Sequence, residues 1–364
     1  MTLKESFRPG GLTTMVGSLP HRDPEQACRL VFEFLEDCPT WPQLPRRSFK
    51  ENMTVQYSGG MPALVLDEAG NRIYFKIGDD LLRQLEEFYG RIIEDDVDYF
   101  AIGPEYAAGL EAFIRLLPGL GRRAYLKGCV VGPVTFGMTV TDDVRRPAFY
   151  HPEISDAVTK VLAMKARWQV RLLRPFCDRV IIFIDEPYLA AVGSAVINLK
   201  KEEVVRKIGE VVEAVHGEGA LAGIHCCANT DWSVPMETGV DILNFDAFGF
   251  GRNLLLYRPQ LRRFIDAGGV LAWGIVPAGE TARAEGFDSL RRLLLDYWRQ
   301  TAEGDVADEK VRSSAMITPS CGLGTLTPEL SRTVLKVLKQ FADEFSERRL
   351  LFGETRRIKD RGGR

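Results

Sequence analysis

Residues 179–227 read RVIIFIDEPYLAAVGSAVINLKKEEVVRKIGEVVEAVHGEGALAGIHCC. A short apolar run, 179–184, ends at Asp185-Glu186-Pro187; an amphipathic stretch, 202–216, follows, and a second apolar run, 220–224, stops at His225. Apolar residues in 202–216 recur at three- and four-residue spacing, the period of a helix with one covered face. The two flanking runs are short and nearly all apolar, as strands are when a parallel sheet is covered on both sides. The stretch is therefore one strand–helix–strand unit.

Outward from it the unit repeats. Further strands are expected at 13–17, 124–131, 242–245, 270–273 and 315–317, and helices at 153–173, 255–267, 290–302 and 329–345. Repeated βα units build either an open doubly wound sheet or a closed eight-stranded barrel. The first βα turn, Gly17-Ser18-Leu19-Pro20-His21, has one glycine where a dinucleotide fold places three. The expected fold is thus α/β, a TIM-type (β/α)8 barrel. Residues 53–78 break the rhythm: 55–57, 63–66 and 73–77 flank the turn residues Gly59-Gly60 and Gly70-Asn71, which reads as an inserted β-hairpin or small meander near the N-terminus. One catalytic domain over 1–355 is expected, with 356–364 a basic flexible tail.

Composition narrows the partners. Of 364 residues 45% are hydrophobic and 27% charged, and 47 basic against 50 acidic residues leave a net charge of -3. With a pI near 6.0, no global basic field exists to hold nucleic acid, and no partner of that kind is expected. Neither a secretory signal nor a membrane span is legible: 1–10 carries Lys4, Glu5 and Arg8, and the longest apolar stretch, 180–199, is broken by Asp185, Glu186, Pro187 and Asn198. A cytoplasmic protein is expected. Seven cysteines, an odd number spread along a long chain, argue for free thiols rather than a disulfide framework.

Barrel enzymes carry their chemistry at the C-terminal ends of the strands. Strand 220–224 runs into His225-Cys226-Cys227, and alternation sends His225 and Cys227 to one side and Cys226 to the other. The next strand ends at Asp246, and a later one leads through Pro319-Ser320 to Cys321-Gly322-Leu323-Gly324. One imidazole, two thiolates and one carboxylate make a tetrahedral zinc set; the alternative is that the cysteines are small buried hydrophobes and His225 a hydrogen-bonded core residue. Of Asp185 and Glu186, one must face the mouth, where Asp185 would receive a substrate ammonium group; the alternative is a helix cap or surface charge. Gly17, Ser18 and His21 could hold a carboxylate through backbone N–H groups or simply form the turn before Asp23-Pro24. Gln43, in Trp41-Pro42-Gln43-Leu44-Pro45, and Trp273, in Trp273-Gly274-Ile275, are candidate substrate contacts with packing or loop support as their alternatives.

Taken in order, these segments resemble the catalytic barrel of cobalamin-independent methionine synthase, within the uroporphyrinogen decarboxylase-like superfamily. Thr13-Thr14-Met15-Val16-Gly17-Ser18-Leu19-Pro20 resembles the family's opening strand and substrate loop, and Gly132-Pro133-Val134-Thr135 its third-strand motif. Asp185-Glu186-Pro187, the His225-x-Cys227 pair, 241–246 and Pro319-Ser320-Cys321-Gly322-Leu323 follow in family order. The resemblance implies zinc held by His225, Cys227, Asp246 and Cys321, a substrate amine on Asp185, a substrate carboxylate at Ser18, and methyl transfer to a thiol, homocysteine. Asp246 stands where the family has glutamate, and Trp273-Gly274-Ile275 where it carries a histidine proton donor. The length leaves no room for the N-terminal barrel of the full-length enzymes. These departures point to a short core form whose methyl donor is a methylated corrinoid or its carrier protein rather than methyltetrahydrofolate. Another small thiol as acceptor, or a non-catalytic zinc- or corrinoid-binding barrel, remain the alternatives.

Overall fold

A computed structural model describes residues 3–194, 197–303 and 306–351. The first strand, β1 (Leu12–Thr13), is followed by helix Pro24–Phe34, which Asp23 caps by accepting from the N–H groups of Glu25 and Gln26. An antiparallel hairpin, β2 (Leu64–Asp67) and β3 (Arg72–Phe75), precedes six long-range strands: β4 (Arg123–Val131), β5 (Cys177–Asp185), β6 (Leu221–Cys226), β7 (Ile242–Phe245), β8 (Val270–Val276) and β9 (Ala315–Pro319). Seven of these nine form one parallel sheet in the order β1-β9-β8-β7-β6-β5-β4.

The sheet closes through an eighth stave. Residues 40–43 bridge both edges in parallel, Thr40 to Lys127 of β4 and Gln43 to Ser18 just past β1. Three backbone contacts make the join: Lys127 N–H to Pro39 O, Gln43 N–H to Gly17 O, and Leu19 N–H to Gln43 O. The ring is therefore an eight-membered parallel (β/α)8 barrel, as the repeat of βα units predicts. The segment read from sequence as a loop around Trp41 is its second stave. Pro42 cannot donate to a ladder, which is why the segment pairs through isolated bridges instead of a continuous strand. Trp41 anchors it outward, donating from Nε1 to Oε1 of buried Gln169 at 2.9 Å.

The expected helices form around the ring, among them Pro152–Leu173, Lys201–Gly217, Arg258–Asp266, Phe287–Ala302 and Pro328–Leu351. Within the insertion, 63–66 and 73–77 form the hairpin, turning where Gly70 N–H meets Asp67 Oδ1 and Asn71 adopts a positive φ of 49°. Val55–Tyr57 is a single 3-10 turn, not a strand: it bends Tyr57 down onto β4, where a third extended run would have no partner edge. The expected tail, 356–364, lies outside the described residues. Among the described residues no helix is long and apolar enough to cross a membrane.

Candidate metal centre at the barrel mouth

Register decides which side chains meet. Asp185 pairs with His225, and His225 with Asn244, so three polar residues lie in one row across β5, β6 and β7. Alternation then turns their neighbours outward. Glu186 is one such neighbour: fully buried, it accepts from the N–H groups of Val134 and Thr135 and from the Thr135 hydroxyl, capping the helix Pro133–Thr139. Of the adjacent carboxylates, Asp185 is the one inside.

At the end of β6, His225 Nε2, Cys227 Sγ and Cys321 Sγ lie within 4.8 Å of one another. Cys226 points away, its thiol 3.4 Å from Ala228 O. His225 is 3% exposed, and its Nε2 is buried without a hydrogen-bond partner. Its other nitrogen, Nδ1, is 2.6 Å from Asn244 Oδ1. The Asn244 amide group spends both N–H bonds, on Ala272 O and Thr318 Oγ1, each at 2.8 Å. Oδ1 can therefore only accept, Nδ1 must carry the proton, and the Nε2 lone pair faces the two sulfurs. The Cys227 thiol is held far below its usual range by the neighbouring Cys321 thiol first and the His225 imidazole next, while Cys227 and burial push the Cys321 thiol up. Of the pair, Cys227 is the one whose thiolate, the form that binds metal, is favoured. The three donors could hold a soft divalent metal ion.

Asp246, the fourth expected ligand, is not brought into this group. Its Oδ1 accepts from Gly249 N–H at 2.7 Å, capping the helix Ala247–Leu254. Burial raises its pKa, and Cys227 adds to the rise, so it flanks the cluster while its geometry serves the helix. The shorter side chain spends its reach on the cap.

Asp185 is 5% exposed, with Oδ1 unpartnered. Burial pushes its carboxyl up to about 6, against the pull of His225 and Lys127. Lys127 sits inside the barrel, donating to Val16 O at 2.5 Å with its ammonium 4.3 Å from the Phe183 ring centre. Ser18 Oγ accepts from Gly324 N–H at 3.1 Å, and a Cβ at Gly322 would lie 2.4 Å from that hydroxyl, so glycine is what lets the Cys321 loop close on Ser18. Gln43 donates to Gln56 Oε1 and to the Tyr57 hydroxyl, which in turn donates to Cys129 O. Its Oε1 is so close to Gly17 that a Cβ there would lie 2.6 Å away, at a φ of +159° where Gly17 is simply extended backbone.

Two expected residues lie elsewhere. Trp273 is a correction: it pairs in register with outward-facing Phe245 and is fully buried between that ring, at 5.2 Å, and Tyr297 of helix Phe287–Ala302, at 6.0 Å. It packs the helix layer and cannot touch a substrate in the mouth. His21 is half-buried with Nδ1 unpartnered; burial lowers its pKa, and the charges acting on it are Glu329 and Asp23, not Asp185.

Sequence reading missed Asn244, Thr318 and Tyr57. Asn244 and Thr318 had a legible signal, each a lone polar residue at an inward position of an otherwise apolar strand. Tyr57 had none, because its role depends on the turn that carries it.

No family model matches the chain, and no curated protein does. Among solved structures, a protein from Coccidioides immitis assigned as a fructose-1,6-biphosphate aldolase is similar at 14% identity and a TM-score of 0.27, over 64% of this chain and 82% of that one. A modular endo-beta-1,4-mannanase of glycoside hydrolase family 26 from Cellulomonas fimi is similar at 15% identity and a TM-score of 0.32, over 65% of this chain and 57% of that one. At those scores neither bears on chemistry; the barrel rests on the strand ring itself.

Proposed function

We propose that this barrel is a zinc-dependent methyltransferase that moves a methyl group to the thiol of homocysteine, giving methionine, with a methylated corrinoid rather than methyltetrahydrofolate as donor. The observation that carries this reading is the convergence of His225, Cys227 and Cys321 around a buried, unpartnered imidazole nitrogen. Two sulfurs and one nitrogen suit zinc, and three protein ligands leave the fourth position open, as in catalytic rather than structural sites. Zinc held by these residues would lower the pKa of an arriving thiol and favour its thiolate near neutral pH.

The chain's own residues would do the rest. Asp185, an unpartnered carboxylate in the same strand row as His225, receives the substrate ammonium group. Ser18 with its neighbouring backbone holds the substrate carboxylate. The thiolate sulfur then attacks the methyl carbon; the sulfur–carbon bond forms as the donor–carbon bond breaks, the electron pair staying with the donor and the thiol proton having left to solvent. A corrinoid departs without needing a proton, which fits a strand end that offers Trp273-Gly274-Ile275 and no histidine. A cytoplasmic setting, which keeps the thiols reduced, belongs to the same reading.

The test is elemental analysis of purified protein, followed by incubation with methylcobalamin or methyltetrahydrofolate and a panel of thiols that includes homocysteine. The proposal expects near-stoichiometric zinc and methionine formed from methylcobalamin. Stoichiometric zinc with no thiol methylated from either donor would sink the catalytic reading, and no zinc after metal-replete preparation would sink all of it.

A further inference from the structure

Away from the metal donors, a groove of about 380 Å³ opens where two helices begin, with Pro152 of one and Lys200, immediately before the other, both in its lining. Neither helix has a side chain capping its first turn, so each presents the partial positive charge of its free N–H groups. Lys200, Arg206 and Lys207 line the same groove. Lys207 is 2% exposed, its ammonium 5.6 Å from the ring centre of Phe149, and the charges acting on it are those of Arg206, Glu203, Asp156 and Glu210. It takes part in no hydrogen bond or ion pair among the described residues, and the same holds for Lys200 and Arg206, in a protein where most other cations are paired.

Two of the nearby acids are already engaged. Asp156 accepts the Tyr89 hydroxyl at 2.6 Å and faces Lys160 at 3.8 Å, and Glu210 is paired to Lys160 at 2.9 Å. Glu203 lines the groove and Glu153 and Glu202 stand in the same first turns, yet none of the three forms an ion pair with Lys200, Arg206 or Lys207 among the described residues. The Lys207 ammonium is reached through the groove and has no acceptor from the protein, and a phosphate group, with several acceptor oxygens and up to two charges, is a ligand that supplies one.

We propose that this groove is a phosphate-binding site, in which Lys207 with Lys200 and Arg206 holds a phosphate group, free or as the head of a larger ligand. The site is independent of the metal donors and of the function proposed above. Titration calorimetry at constant ionic strength tests it, with inorganic phosphate and glycerol 3-phosphate as probes on the wild type and on Lys207→Met, which keeps the apolar stem and removes the charge. The wild type is expected to bind at least one probe, at least tenfold more tightly than Lys207→Met, with zinc content equal in both. Binding of inorganic phosphate alone would mark a site for the free ion, and binding of both a site for phosphate esters. Should Lys207→Met fail to fold, the exposed double variant Lys200→Gln/Arg206→Gln is expected to lose binding by a similar factor. No binding of either probe by the wild type, or binding unchanged in the variants, would overturn the proposal.

Discussion

At the residue scale the site is governed by hydrogen bonds that the ligands do not make themselves. Asn244 fixes the proton on His225 Nδ1, so Asn244→Leu should leave the fold intact but weaken metal binding by about 10- to 100-fold, read by competition with a chelating dye. Cys227→Ala and Cys321→Ala should each abolish zinc binding. Asp246→Ala should retain near-stoichiometric zinc in the same elemental analysis, and should instead cost about 1 kcal/mol of stability through the lost cap on Ala247–Leu254. Asp185 gives a pH signature in the metal-free protein. Its carboxyl is raised from the ordinary 3.8 to about 6 by burial, so the fold prefers the neutral form. The penalty is absent below pH 4, grows as pH rises through the interval, and is fully present above about 6. Asp185→Asn should therefore gain stability relative to wild type between pH 4 and 6, by on the order of 2–3 kcal/mol at the plateau, while losing affinity for an amine-bearing substrate; thermal midpoints across pH read the first effect and KM the second.

At the element scale, what the sequence disclosed and what it hid have different physical causes. Seven staves were legible because each is an apolar run between turn residues, a purely local signal. The eighth was not, because 40–43 holds a proline and pairs at two points only; it is a stave by virtue of what lies on either side of it. The His225–Cys227 pair and its outward-facing Cys226 followed from period-two alternation, and the same alternation, carried two strands further, turns Trp273 away from the mouth. Asp246 could not be judged that way, since whether a carboxylate caps a helix or meets a ligand depends on distances no spacing encodes. Helix Ala108–Leu116 supports the eighth stave through close backbone approach: a Cβ at Gly109 would lie 1.9 Å from Pro42 O. Gly109→Ala should displace that segment and destabilise the protein by about 1–3 kcal/mol, with the midpoint of urea unfolding as the measure.

At the scale of the whole molecule, the seven cysteines divide into two populations. Cys28, Cys38, Cys129, Cys177 and Cys226 are buried, and burial pushes four of these thiols, those of 28, 38, 129 and 226, up to about 12. Cys227 and Cys321 are partly open, and the Cys227 thiol is held well below the ordinary thiol range. A disulfide reagent added to native, metal-free protein should titrate two thiols rapidly and five only on unfolding, and zinc should protect the fast pair; more than two fast thiols would mean the barrel is looser than this packing. The eight staves are not equally strong either. The two-bridge stave at 40–43 stands four positions around the ring from β7, directly across the cylinder from Asn244, and three from β6, which carries His225 and Cys227. Were the barrel to breathe, it would part first along that seam, exchanging the amide hydrogens of Lys127 and Gln43 with solvent while β5 to β9 stay zipped. His225 and Cys227 thus stand on the wall that holds, while the loop carrying Cys321, tied to Ser18 through the N–H groups of Leu323 and Gly324, borders the wall that parts.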